Sequence, residues 1–172
     1  MKTTNKTEVA AQWVLNKKII AYPTEGVWGL GGLNTANIIE DLGRIKARPA
    51  DKKYILLFFS SENLSQSFKI APEYIGLIEN HAHTFTTMLV PTSKGKIAAR
   101  IPEPGNLLSF LKLIKKPLIS TSANISGEEV CKNIKEIKAA FDDKIYGALD
   151  LALGGKNEPS KILDLETNEY IR

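Results

Sequence analysis

The chain has 172 residues, of which 43% are hydrophobic and 24% charged, and its net charge is +4. This length and balance permit one sizeable hydrophobic core and exclude a disordered or low-complexity chain, so we predict a single domain over residues 1–172. No apolar run approaches the length of a membrane span, and we expect no contact with a membrane. Cys131 is the only cysteine, which excludes an internal disulfide and indicates a reducing compartment, the cytoplasm.

Hydrophobic patterning predicts strands and helices that alternate along the chain. The alternation indicates an α/β sandwich built on a twisted sheet that mixes parallel and antiparallel strands. Residues 92–95 form a loop of hairpin length, so the strands on either side should be antiparallel neighbours. The predicted strands are 18–22, 54–59, 85–91, 96–101, 118–122 and 161–165, and the predicted helices are 7–16, 36–47, 72–80, 105–115 and 132–141.

A glycine-rich segment, residues 22–32, follows the first predicted strand and holds four glycines within seven residues. Glycine lets the backbone approach a ligand closely, and Thr24 and Glu25 add a hydroxyl and a carboxylate. The spacing of a nucleotide phosphate loop is absent. The alternative is a bend at a corner of the sheet. Glu25 is either a general base or, more simply, a hydrogen-bond partner for nearby backbone N–H groups.

Two cations, Lys46 and Arg48, lie where the helix predicted at 36–47 should end before Pro49. Cations in a last helical turn are favoured by the helix dipole alone. They could instead bind a polyphosphate, since arginine offers a planar fork of donors and lysine a point charge. The sequence leaves both interpretations open.

The segment 120–127 reads Ser-Thr-Ser-Ala-Asn-Ile-Ser-Gly and follows an apolar run, and five of its eight residues carry hydroxyl or amide groups. A buried strand that ends in such a loop can bring N–H and hydroxyl groups together around an anion. The alternative is an ordinary turn stabilised by local side-chain hydrogen bonds.

Three motifs in this order resemble the YrdC/Sua5 family of threonylcarbamoyl-AMP synthases. They are Pro-Thr-Glu-Gly-Val-Trp-Gly-Leu-Gly at 23–31, Lys-Ala-Arg-Pro at 46–49, and the polar segment at 120–127. Weaker matches are Ala-Arg-Ile-Pro at 99–102 and Pro-Ser-Lys-Ile-Leu-Asp at 159–164. The matches cover nearly the whole chain, whose length is similar to that of the short, single-domain bacterial members.

The resemblance implies a YrdC-like domain with an open, concave, basic cleft. It also implies an enzyme that joins L-threonine, bicarbonate and ATP into L-threonylcarbamoyl-AMP and releases pyrophosphate, with Mg²⁺ accompanying the ATP. The product would pass to tRNA threonylcarbamoyl-transferase proteins for the t6A modification of tRNA. The resemblance assigns catalysis and ATP binding to Lys46, Arg48, Ser122 and Asn124, threonine binding to Thr24, Arg100 and Ser120, and a further ATP contact to Ser160.

One stretch departs from the family pattern. Where many members carry Trp-Pro-Gly-Pro, this chain has His-Ala-His-Thr at 81–84, which leaves the geometry of that loop open. His81 and His83 are the only histidines, and no Asp, Glu or Cys accompanies them at ligand spacing. We therefore interpret them as loop or surface residues and predict no protein metal site.

The basic charge also permits a second class of function, an RNA-binding module acting in translation or ribosome maturation. The cationic runs, such as 52–53 and 115–116, are short, and no RNA-binding motif is evident. A solvated surface explains these charges, although nonspecific RNA binding could coexist with catalysis.

Overall fold

The computed structural model describes residues 1–49, 53–156 and 158–172. Lys52, one of the cations interpreted as surface charge, lies outside this part of the chain. In chain order the elements are β1 (Lys2–Thr4), α1 (Thr7–Leu15), β2 (Ile20–Pro23), β3 (Trp28–Gly31), α2 (Ala36–Lys46), β4 (Ile55–Leu57), α3 (Ser61–Phe68), α4 (Pro72–His81), β5 (Thr86–Val90), β6 (Ile97–Arg100), α5 (Asn106–Ile114), β7 (Leu118–Ser122), α6 (Ile134–Phe141), β8 (Gly147–Leu149), β9 (Lys161–Asp164) and β10 (Glu169–Tyr170).

The described strands form a single sheet in the order β1-β8-β2-β3-β7-β4-β6-β5-β9-β10. Strands β4 and β6 are parallel, as are β5 and β9, whereas β7 is antiparallel to both of its neighbours, β3 and β4. Strands β5 and β6 are antiparallel, with Leu89 opposite Ala98, as the loop at 92–95 predicts. The prediction of a mixed sheet in a single-domain α/β fold is therefore confirmed.

The hydrophobic core lies in two clusters, to which neighbouring residues of one strand contribute alternately. In β7, Leu118 belongs to one cluster and Ile119 to the other. Successive strand side chains point to opposite faces, so the clusters occupy the two faces of the sheet. Helices α1 and α5 contribute Val14 and Phe110 to one face, and α6 contributes Ile137 to the other.

Among the described residues, five elements were not predicted from the sequence: β1, β3, β8, β10 and α3. Strand β3 is formed by the glycine-rich segment, where we expected a bend or a ligand loop. A Cβ atom on Gly31 would lie 1.8 Å from the carbonyl oxygen of Ile119 in β7. Glycine here therefore allows two strands to approach closely. The sequence did not predict this strand because glycine has a low strand propensity. Helix α3 is short and buries a single side chain, Leu64, so its apolar pattern is weak.

Helix α2 ends at Lys46, one residue before the predicted end at residue 47. Ala47 adopts a left-handed conformation with φ of 49°. The N–H of Arg48 then donates to the carbonyl oxygen of Gly43 at 2.9 Å, which closes the helix end, and Pro49 follows. This turn sends the side chains of Lys46 and Arg48 in different directions.

Candidate active site

A cavity of about 520 Å³ opens where β4, β6 and β7 meet the turn between β2 and β3. Its lining includes four cationic residues but, among the described residues, one acidic residue, Glu158. The cavity is therefore basic, as the expected cleft is. The lining residues are Thr24, Val27, Gly29, Arg48, Lys53, Ile55, Leu57, Arg100, Ser120, Thr121, Ser122, Val130, Glu158, Pro159, Ser160 and Arg172.

Six of the eight predicted site residues line this cavity. They come from separate parts of the chain, since more than 130 residues divide the first from the last. The two remaining ones, Lys46 and Asn124, are not among the lining residues but are bonded to Ser122, which is. The six lining residues are Thr24, Arg48, Arg100, Ser120, Ser122 and Ser160.

Lys46 is buried, with 2% of its surface exposed. Its ammonium donates to the backbone carbonyls of Ser122 and Asn124, the latter at 2.6 Å, and to Asn124 Oδ1 at 3.1 Å. Burial, assisted by the nearby positive charge of Arg48, lowers the pKa of Lys46 to about 8. Lys46 thus ties the end of α2 to the end of β7, behind the cavity wall.

The polar segment after β7 is held by its own side chains. Ser122 Oγ donates to Asn124 Oδ1 at 2.6 Å, and Asn124 Nδ2 donates to the carbonyl oxygens of Ile125 and Glu128 at 2.9 and 2.8 Å. Both interpretations of this segment have support here, because Asn124 stabilises a turn while Ser120, Thr121 and Ser122 line the cavity.

Arg48 lies at the cavity between a backbone oxygen and an aromatic ring. Its Nη2 donates to the carbonyl oxygen of Lys53 at 2.9 Å, and its guanidinium carbon lies 4.8 Å from the ring centre of Tyr54. These contacts orient a planar group of donors at the edge of the site.

Arg100, the last residue of β6, is paired with Glu25. Arg100 Nη2 and Glu25 Oε2 are 2.6 Å apart, and each side chain is 8% exposed. Burial lowers the pKa of Arg100, an effect that the Glu25 carboxylate opposes. Arg100 Nε is buried and has no hydrogen-bond partner among the described residues. Arg100 therefore keeps a buried, unsatisfied donor.

Thr24 closes the turn between β2 and β3. Its hydroxyl donates to the carbonyl oxygen of Val27 at 2.7 Å and accepts from the N–H groups of Gly26 and Val27 at 3.4 and 3.3 Å. Thr24 therefore shapes the cavity wall, and its hydroxyl is already engaged within its own turn.

The two remaining predicted serines lie deep in the cavity. Ser160 is 5% exposed, and its hydroxyl is 2.8 Å from that of Thr87. Ser120 is 8% exposed and contacts the hydroxyl of Tyr22, whose pKa burial raises. Both serines have buried polar neighbours, which limit their rotation.

The sequence did not point to several residues of this cavity. Arg172 lines it and donates through Nη2 to the carbonyl oxygen of Ser160 at 3.0 Å. Lys53 lines it too, although we interpreted its run as solvated surface. Neither belongs to a motif, and only the pairing of distant strands brings them here. The basic net charge was the one available signal.

The two histidines make contacts outside the cavity lining. His83 Nδ1 lies 2.6 Å from the carbonyl oxygen of Pro102, and the His81 ring packs against Tyr170 with 6.5 Å between ring centres. His83 and Phe85 have φ angles of 61° and 38°. The segment that departs from the family pattern thus follows an irregular path that fastens it to the chain beyond β6.

Other features of the described residues lie apart from this site. Within residues 1–49, 53–156 and 158–172, no three His, Cys, Asp or Glu side chains are grouped so as to hold a metal ion. Over the same ranges, no helix is both long and apolar enough to cross a bilayer. A wider cavity of about 960 Å³ lies beside α2 and includes Lys18, Arg44 and Tyr146, but none of the predicted site residues.

Comparison with known proteins finds relatives that match nearly the whole chain. The chain is 30% identical over 169 residues to the threonylcarbamoyl-AMP synthase of Vibrio parahaemolyticus, covering 90% of this chain and 91% of that protein. It is 33% identical over 181 residues to the threonylcarbamoyl-AMP synthase of Pseudomonas paraeruginosa, covering 97% and 96%.

Among solved structures, P. abyssi Sua5 complexed with L-threonine superposes with a TM-score of 0.80 at 26% identity, covering 96% of this chain. The match covers 54% of the Sua5 chain, so this chain spans about half of that protein's length. The Sua5/YciO/YrdC family model, described as telomere recombination, matches residues 13–172, and the chain belongs to this family.

Proposed function

We propose that the protein is a threonylcarbamoyl-AMP synthase, which joins L-threonine, bicarbonate and ATP and releases pyrophosphate. The observation that carries this proposal is the single basic cavity that six of the eight family-matched residues line. The threonylcarbamoyl-AMP synthases that match nearly the whole chain support the same activity.

The reaction needs positioning and charge stabilisation more than covalent work by the protein. The amine of threonine and bicarbonate give a carbamate with loss of water. A carbamate oxygen then bonds to the α-phosphorus of ATP, the bond from that phosphorus to the bridging oxygen breaks, and pyrophosphate leaves with the electron pair. Fixed cations and hydroxyls stabilise charge at the transferred phosphorus. A confined cavity limits the access of water to the short-lived carbamate.

We assign the triphosphate to Arg48 and Ser122, with Ser160 as a further contact from the β9 end of the cavity. Arg48 offers donors that the Tyr54 ring holds in place. Ser122 lines the cavity, and Lys46 donates to the backbone carbonyl of Ser122 from behind the cavity wall. Lys46 and Asn124 then act in catalysis by supporting this wall. Mg²⁺ would be held mainly by phosphate oxygens and water, with Glu158 as the nearby acidic residue.

We assign the threonine carboxylate to Arg100, with Thr24 and Ser120 shaping the pocket around the amino acid. The partnerless Nε–H of Arg100 supports this assignment, because a buried donor without an acceptor costs about 1–3 kcal/mol, which a bound carboxylate would offset. A planar carboxylate also fits the guanidinium fork.

The remaining parts of the proposal concern the cellular setting. We propose that residues 1–172 act as one YrdC-like domain in the cytoplasm, and the buried free thiol of Cys131 is consistent with a reducing compartment. The product would go to tRNA threonylcarbamoyl-transferase proteins for t6A synthesis. Nonspecific RNA binding through the basic face would be secondary.

Pyrophosphate release from ATP by the purified protein tests the proposal. We expect release only when threonine and bicarbonate are both present, and loss of release in Arg48→Ala and Lys46→Ala. Arg44→Ala is the matched control, because Arg44 lies on the same helix as Lys46, its side chain is 71% exposed, and it pairs with the surface carboxylates of Glu40 and Asp41.

Two other outcomes would contradict the proposal. Hydrolysis of ATP without threonine would indicate a general ATPase. RNA binding that weakens with a reduced salt dependence when the exposed cation Lys53 is replaced by alanine, together with no nucleotide turnover, would favour the RNA-binding module.

A further inference from the structure

Glu25 has no role in the assignments above, although it is buried and each of its carboxylate oxygens has a hydrogen-bond donor. Its Oε2 accepts from Arg100 Nη2 at 2.6 Å, and its Oε1 accepts from the N–H of Glu103 at 3.3 Å. Both carboxylate oxygens are thus engaged, and the residue is 7% exposed. These two contacts indicate a structural role, because the carboxylate holds both the Arg100 side chain and the backbone of Glu103.

The backbone of Glu25 is held as firmly as its side chain. Its carbonyl oxygen accepts from the N–H of Lys156 at 2.8 Å, and the neighbouring carbonyl of Thr24 accepts from the N–H of Gly154 at 2.9 Å. A Cβ on Gly154 would lie 2.7 Å from Glu25 Cα, so the chain at 154–156 packs directly against it. Glu25 is therefore a fixed point between the turn after β2 and the segment before β9.

Glu25 and Arg100 line two different cavities. A smaller cavity of about 240 Å³ is lined by Glu25 and Glu103, whereas Arg100 lines the larger one, and Thr24 lines both. The guanidinium of Arg100 is 5.3 Å from the ring centre of Phe85. Arg100 is thus held by an anion and by an aromatic ring, and its Nε–H has no partner among the described residues.

We propose that Glu25 is a positioning residue for the amino-acid substrate: it takes Arg100 Nη2 and so directs the remaining donors of the guanidinium to a carboxylate in the larger cavity. This inference rests on the proposed function. It assigns to Glu25 a role in the affinity for threonine, and none in the transfer of protons.

Glu25→Gln tests the proposal with little change of shape. A carboxylate accepts through two oxygens, whereas an amide accepts through one and would turn its NH₂ toward Arg100 or toward the Glu103 N–H. Arg100 should therefore lose its fixed position. We expect the threonine Kd, measured by calorimetry, to rise about tenfold, with the KM for ATP and kcat changed less than twofold.

A double-mutant cycle separates action through Arg100 from any independent action of Glu25. Arg100→Lys removes the fork but keeps the charge. If Glu25 acts through Arg100, adding Glu25→Gln to Arg100→Lys should change the threonine Kd by less than twofold, because the two effects are not additive. Additive losses would overturn the proposal.

Asp164→Asn is the matched control. Like Glu25, Asp164 accepts from a cation and from a backbone N–H: from Lys96 Nζ at 2.7 Å and from the N–H of Glu166 at 3.0 Å. Asp164 does not line the cavity. The Asp164→Asn variant should have a lower melting temperature and an unchanged threonine Kd. If Glu25→Gln does not fold, Glu25→Asp carries the same test, since it keeps the charge but withdraws the carboxylate from Arg100.

The outcomes also distinguish this inference from the proposed function. If the wild-type protein neither binds threonine nor releases pyrophosphate, the proposed function fails. If it does both and Glu25→Gln leaves the threonine Kd unchanged, or tightens it by removing a competing anion, only the positioning role fails. A loss of kcat of a hundredfold or more with unchanged threonine Kd would make Glu25 a general base and would also overturn the positioning role.

Discussion

Lys46 Nζ donates to Asn124 Oδ1 at 3.1 Å and so joins the last residue of α2 to the residue two beyond Ser122, the end of β7. The same ammonium holds the backbone carbonyls of Ser122 and Asn124. Lys46 and Asn124, which are 78 positions apart in the sequence, thus together support the wall of the proposed site. Four predictions follow from this and from related contacts.

Replacing Asn124 with aspartate should damage the cavity wall. Aspartate lacks the two donors that Asn124 directs to the carbonyls of Ile125 and Glu128, so both bonds are lost. We expect pyrophosphate release to fall at least about tenfold, as a loop held by about 1 kcal/mol per bond is freed. Asn37→Asp, at an exposed position in the first turn of α2, is the control and should retain activity. Full activity of Asn124→Asp would contradict this account of the wall.

Activity and stability should respond to alkaline pH in opposite directions. With a pKa of about 8, Lys46 loses a proton well below the usual lysine range, near 10.4, and a neutral amine has two donors for its three acceptors. We therefore expect kcat/KM to fall above about pH 8. The unfolded chain binds this proton more tightly than the folded one, so the Lys46 contribution favours the folded state increasingly from about pH 8 to about pH 10.4.

NMR titration of the protein with isotope-labelled lysines, compared between the wild type and Lys46→Arg, measures this pKa. One resonance with a midpoint near pH 8 should be absent from the variant. A Lys46 midpoint above pH 10 would show that its three oxygen acceptors outweigh burial.

The ring of Tyr54 should contribute to ATP binding by holding Arg48. The Arg48 guanidinium carbon lies 4.8 Å from the centre of the Tyr54 ring. Such a cation–π contact typically stabilises by about 0.5–1 kcal/mol at exposed sites. Tyr54→Leu should raise the KM for ATP about two- to fivefold, and Tyr54→Phe, which keeps a ring, should not. Equal effects of the two variants in steady-state kinetics would mean that the hydroxyl, and not the ring, is what matters.

Gly31→Ala should destabilise the fold strongly. The new Cβ would meet the Ile119 carbonyl oxygen at 1.8 Å, and neither strand can move without breaking the ladder between β3 and β7. We expect a loss of about 3 kcal/mol or more in the free energy of unfolding, measured in urea. Gly76→Ala, at an exposed position of α4 with no atom within 4 Å of the new Cβ, should instead stabilise the fold by up to about 1 kcal/mol. Similar values for both variants would contradict the close approach of the strands.

Local patterns predicted most of the secondary structure around the site. Helix α2 was correct to within one residue because apolar spacing and Pro49 act locally, and β7 was predicted with its observed bounds. Strand β3 was missed because the reason for its glycines is a carbonyl of β7, almost ninety residues away. Strands β1, β8 and β10 are only two or three residues long and depend on their partners for order.

The sequence by itself determined the family, the mixed α/β fold and the candidate residues, because motifs and hydrophobic periods are properties of short segments. The tertiary structure decided which of those residues meet. It placed Arg48 and Arg100 at one cavity, put Lys46 behind its wall and paired Arg100 with Glu25. The contact between Lys46 and Asn124, for example, joins residues 78 positions apart. They form only when strand pairing brings distant segments within a few ångströms, where burial and charge can act between them.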